Sequence, residues 1–230
     1  MSLRISFSAV LFAAAVNAAD MPVTVSEVTT GAQSHVKLTN RSSQPVTAWS
    51  LAVTTRAEGG RTHREVYTAD GYLSEVTHGL PGSSERLERL IPGESRQIAL
   101  DPLPVGADVE VIAAVLDDGT AMGEEEAAAS IFARRAKERD ALKAVVDAFN
   151  DVLPARHGAD ALAALKERFA ALAQRDDSMP CRAALDAVRN FERKGSAEQI
   201  DQSMSVYADF VRREYDLAAK HAERRAGIRN

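Results

Sequence analysis

The chain changes its hydrophobic rhythm once. Between Pro22 and about Gly119, apolar residues recur at roughly every second position in short runs. Val23, Val25 and Val28 mark a run over 22–30, and Val36 and Leu38 mark one over 35–40. Trp49, Leu51 and Val53 share one face of 46–55, with Ala48 and Ala52 opposite; Ile98 and Leu100 lie in 95–100. The run 108–116 is apolar on both faces. Alternation predicts half-buried strands, and a two-faced apolar run predicts a central one. Turn chemistry separates them at Asn40-Arg41-Ser42-Ser43-Gln44-Pro45, Glu58-Gly59-Gly60, Pro92-Gly93-Glu94 and Asp117-Asp118-Gly119. Between Thr62 and Leu90 the pattern admits either two strands or one strand and a long loop.

After Gly123 the period becomes helical. Glu124, Glu125 and Glu126 open a helix at the end where its dipole favours acids. Ile131, Phe132, Leu142, Val145, Val146, Phe149 and Val152 then recur at helical spacing, predicting a helix over 124–153 that Pro154 and Gly158 end. A second helix starts near Ala159 with the stripe Leu162, Leu165, Phe169 and Leu172. Ser178 and Pro180 open a third, which Gly195 follows. Ser196 and Gln199 form a capping-box pair for a fourth, whose stripe is Ile200, Met204, Tyr207, Val211 and Leu217. The expected fold is α+β in two modules. An immunoglobulin-like antiparallel β-sandwich over 20–120 precedes an α-helical domain over 121–230, packed as a bundle or an elongated hairpin.

Residues 1–19 read as a signal peptide. Arg4 precedes an apolar stretch from Ile5 to Val16, and small residues follow, so cleavage is expected after Ala18 or Ala19. That stretch is shorter than the roughly 20 residues a membrane span needs. The expected location is periplasmic or secreted, with no integral span after cleavage. Cleavage after Ala18 removes one base and no acid, leaving a net charge of −6. Acids and bases are interleaved, so no basic face offers itself to nucleic acid. The lone cysteine, Cys181, means that apolar cores rather than intrachain disulfides must hold the fold.

Several of these segments resemble a known group. The stretch Val36-Lys37-Leu38-Thr39-Asn40-Arg41-Ser42-Ser43-Gln44-Pro45-Val46 resembles the strand, Asn-Ser turn and Pro-initiated strand of bacterial exported immunoglobulin-like domains. Leu90-Ile91-Pro92-Gly93-Glu94-Ser95 is similar to the turn that introduces a later strand in them. The run from Val115 to Gly123, followed by a charged helix, looks like secreted proteins of that kind. The resemblance spans about residues 22–135 and carries over no catalytic residue.

Reactive groups are sparse. His35, His63, His78, His157 and His221 lie at no metal-ligand spacing, although His63 and His78 could converge on one loop face. Asp117, Asp118 and Glu124, with Glu125 and Glu126, form the densest acidic cluster and are the candidate ligands for a hard cation. They equally suit a hairpin turn leading into a helix N-terminus. Gly79-Leu80-Pro81-Gly82-Ser83-Ser84 has neither the ending of a phosphate loop nor a nucleophile elbow. Cys181 is expected to pack under the third helix, Trp49 to be the sandwich's core aromatic, and Arg134, Arg135, Lys137 and Arg139 to form a solvated face. No catalytic residue and no cofactor is expected. The sequence therefore favours an exported binding or scaffolding protein whose partner is another envelope or secreted protein. The alternatives are a cation-binding exported protein, or a hydrolase combining carboxylates of 117–126 with a histidine from the sandwich at the domain junction.

Overall fold

A computed structural model describes residues 21–225 apart from 32, 57–59, 79–86 and 195. The proposed signal peptide and the glycine-rich segment 79–84 lie outside the described residues. Strands β1 (Val23–Thr29), β2 (Ser34–Asn40) and β5 (Ser95–Leu100) form one antiparallel sheet in the order β1-β2-β5. Strands β3 (Val46–Arg56), β4 (Thr62–Asp70), β6 (Asp108–Leu116) and β7 (Ala121–Gly123) form a second, in the order β4-β3-β6-β7.

β3 is paired along both edges, and its two faces meet different partners. Trp49, Leu51 and Val53 face a core shared with Val23, Val36 and Leu38 of the other sheet. Trp49 is 7% exposed there, as expected of the core aromatic. On the other face, Ala48 joins Ala113 and Val115 of β6 against Ala128, Ile131 and Phe132 of the long helix α2 (Glu125–Val152). Alanines on the strand side let the helix approach closely, and the covering helix explains why 108–116 is apolar on both faces. Between Thr62 and Leu90, the described residues contain the strand β4, a one-turn helix α1 (Ser74–Thr77) and a single bridge from Leu90 to Val46. Most of β4 is exposed, with Val66 54% open, so its alternation is faint.

β7 lies in the stretch read from sequence as a simple junction. It ends at Gly123, whose φ of 106° suits glycine. The next N–H, of Glu124, donates to the Ile112 carbonyl at 2.6 Å, and α2 begins one residue later. Helices α3 (Gly158–Arg175), α4 (Met179–Phe191) and α5 (Ala197–His221) then pack their stripes with the second half of α2. Leu142, Val145, Phe149, Leu165, Phe169, Cys181, Val188, Met204 and Val211 are buried in one cluster. Each large apolar side chain so buried contributes roughly 1.5–3 kcal/mol before entropy is counted.

Ser196 caps α5 as expected, its hydroxyl accepting the Gln199 N–H at 3.2 Å. Ser178 does not cap α4 in that way: its hydroxyl is buried without a partner, and its own N–H donates to Asp176 Oδ1 at 3.0 Å. The end of α5 returns to the sheets, where the Arg225 N–H donates to the Gly119 carbonyl at 3.0 Å and Arg224 pairs with Glu125. The architecture is α+β. No helix among the described residues is long and apolar enough to cross a membrane.

Candidate functional site

Where sheet meets helices, the contact is charged. Arg135 occupies the apolar stripe of α2, in register with Ala128, Ile131 and Phe132, and its side chain is 0% exposed. This corrects its assignment to a solvated face. Its Nε donates to Asp70 Oδ2 at 2.9 Å and its Nη2 to Asp70 Oδ1 at 2.7 Å. Nη2 also reaches Thr47 Oγ1 at 3.0 Å, and Nη1 the His221 carbonyl at 3.3 Å. The guanidinium lies over the Tyr72 ring, 4.8 Å from its centroid. One side chain thus ties β3, β4, α2 and α5 together. Arg134, half exposed, adds a second cation to Asp70 at 3.0 Å.

Beside this contact stand Arg89, Asp117 and His221. Arg96 positions the first by donating to the carbonyls of Leu87, Glu88 and Arg89. Arg89 pairs with Glu75 at 2.6 Å and lies 3.8 Å from Asp117 Oδ1. His221 Nε2 lies 4.0 Å from that same oxygen. Burial holds the His221 imidazole below the ordinary histidine value, and the charges of Lys220 and Arg135 add to the effect. An acid and a histidine do meet at the junction, although the histidine comes from α5 rather than from the sheets. His221 is 1% exposed, so its imidazole is closed to solvent, whereas the Asp117 side chain is 31% exposed.

The other sequence candidates separate. Asp118 accepts the Thr120 N–H and the Gln44 amide, and the first of these bonds holds its carboxyl below the usual range. Glu124 pairs with Arg64 at 2.5 Å. Asp117, Asp118 and Glu124 therefore serve different partners, and among the described residues no group of three or more His, Cys, Asp or Glu is placed to hold a metal ion. His63 bonds Glu65 at 3.0 Å on β4, while His78 follows α1. Cys181 is buried and free.

One accessible aromatic feature lies on the helices. The last turn of α4 and the middle of α5 enclose a groove of about 460 Å³, lined by Phe191, Val206, Tyr207 and Phe210, with Lys194 and Arg213 also contributing. Phe191 meets Tyr207 edge-on at 6.0 Å, and Tyr207 stacks on Phe210 at 6.1 Å. Phe149 backs Tyr207 from the core at 6.0 Å, so the floor of the groove is anchored in the buried cluster. Val206 is 63% exposed. Sequence reading assigned Tyr207 to the core stripe, but Val206 and Phe210 were signals that the apolar face of α5 is wider than its buried stripe.

Tyr207 and Phe210 also line an adjoining pocket of about 110 Å³, which contains Glu138, Leu142, Met179, Pro180 and Glu214. The Tyr72 hydroxyl donates to Glu138 Oε2 at 2.7 Å, linking this pocket to the Arg135 contact. The Glu214 carboxyl is pushed up to about 7, first by burial and then by the charge of Glu138. That value lies above the roughly 4.3 of an unfolded chain, so the folded state holds this proton more tightly. The resulting stability is full below about pH 4 and is lost as pH rises through about 7. Partial solvent exposure limits the effect to about 1–2 kcal/mol. Between about pH 5 and pH 8, urea unfolding should show the wild type losing that much more stability than Glu214→Gln. Equal losses in both proteins would remove the buried-carboxyl account.

Comparison of the chain with protein-family models, with curated proteins and with solved structures found no match.

Proposed function

We propose that this chain is an exported, non-catalytic binding or scaffolding protein of the cell envelope. In this reading an immunoglobulin-like sandwich over 20–120 carries a helical bundle over 121–230. The groove between α4 and α5 receives an apolar segment of another envelope or secreted protein. The observation that carries the reading is an aromatic groove backed by the core, with Val206 63% exposed at its wall. Apolar grooves on helical surfaces are a recurring way to hold a peptide or helix. The signal-peptide pattern and the resemblance to exported domains supply the compartment.

The test is capture from an envelope extract with the full chain, comparing wild type with Val206→Asp. A discrete partner retained by the wild type and lost by the variant is expected. Identical capture by both proteins would overturn the reading. So would turnover in a broad hydrolase screen that disappears on changing one residue.

A further inference from the structure

We infer that the Glu138–Glu214 end of the groove is a receptor for one basic side chain, lysine or arginine, carried by the apolar segment that the groove binds. This rests on the binding role proposed above. The two carboxylates share one small pocket, and Glu138's charge reaches Glu214. Glu138 accepts the Tyr72 hydroxyl, whereas the described contacts give Glu214 no hydrogen bond or ion pair that would balance its charge. Half-buried like charges without a cation between them are costly, and an incoming cation removes that cost.

The walls select the kind of cation. A hard metal ion wants six or more oxygen ligands, and this pocket offers two carboxylates among carbon surfaces. Leu142, Met179 and Pro180 suit the methylene stem of a long basic side chain, and the Tyr207 and Phe210 rings suit its charged head. A volume of about 110 Å³ holds the end of one such side chain and not a cofactor. The wall shared with the larger groove assigns the cation to the bound segment rather than to a free amine: a peptide lying over Val206 and Phe210 passes directly beside the pocket.

The experiment selects a displayed library of random peptides on the purified full chain at about pH 8, where Glu214 is largely ionised. Enriched peptides are expected to combine apolar residues with a lysine or arginine. Replacing that basic residue by glutamine in the best peptide should weaken binding about tenfold or more. The Glu138→Gln/Glu214→Gln protein should bind the two peptides equally, with near-UV circular dichroism confirming its fold. Lowering the pH to about 5 should weaken the basic peptide selectively, as Glu214 takes up its proton. Peptides that depend on Val206 but show no preference for a basic residue would overturn the receptor and leave the groove reading intact. No enrichment, or enrichment indifferent to Val206→Asp, would overturn both. So would sedimentation showing a dimer that Val206→Asp dissolves, because the groove would then belong to a second copy of the chain.

Discussion

Replacing Arg135 by methionine is expected to destabilise the folded chain by about 3–5 kcal/mol. Methionine fills much of the volume but leaves Asp70, whose side chain is 4% exposed, facing only the half-exposed Arg134. It also strips Thr47 and the His221 carbonyl of their donor. Asp70→Leu should cost a similar amount, because the guanidinium charge stays buried without its counter-ion. Combining Arg135→Met with Asp70→Leu should cost far less than the two single changes added, since neither charge then remains, and the coupling should be about 2 kcal/mol or more. Urea unfolding of the four proteins measures the cycle. The same series separates the two parts of the molecule optically. Trp49 reports the sheets, and the far-ultraviolet signal is dominated by the helices. The two probes should unfold together in the wild type and come apart when Arg135 is lost. Single variants that each cost under about 1 kcal/mol would show that packing alone holds sheet to helix.

The second large effect is expected at Gly123. With φ at 106°, any L-residue is strained there, and an added Cβ would overlap the Ile112 carbonyl oxygen and sit 2.8 Å from Ala113 Cα. That carbonyl accepts the Glu124 N–H that starts α2, so it cannot retreat without disturbing the turn. Strain and overlap together put Gly123→Ala at about 3 kcal/mol or more. Gly93 is the control. Its φ is 76° but nothing lies within 4 Å of a Cβ there, so Gly93→Ala should cost only about 1 kcal/mol. Matched denaturation curves decide the point, and equal costs at both glycines would place the penalty in the backbone angle alone.

How far the residues foretold this structure varied with the physics of each part. β5 and β6 fall where alternation placed them, and α2 runs within a residue of the predicted ends at both termini. These elements bury a continuous face, and burial writes a period. β7 spans three residues and α1 a single turn, too short for any period to register. β4 lies at a sheet edge, largely open to water, so polar residues satisfy both its faces. The charged contact was missed for a different reason. Arg134, Arg135, Lys137 and Arg139 look alike in sequence; Arg135 and Arg139 both share the helical spacing of Ala128, Ile131 and Phe132, but of the four only Arg135 is buried. A cation on an apolar stripe was the available signal. Its partner Asp70 lies 65 residues away, at a distance no local pattern reaches. The groove was partly legible in the surplus apolar residues of α5, whereas the meeting of Glu138 with Glu214 depends on how α2 and α5 lie side by side.

The Arg135 contact also sets an order of assembly. Its acceptors lie 65 residues away in Asp70, 88 in Thr47 and 86 in the His221 carbonyl, the last of them on the opposite side of Arg135 in the chain. Such distant closures form slowly and come after local helices and hairpins. The strands can supply two acceptors as soon as α2 forms, but the third arrives only when α5 is complete. A chain emerging from its N-terminus therefore stays pliable at this junction until its last helix is free to dock.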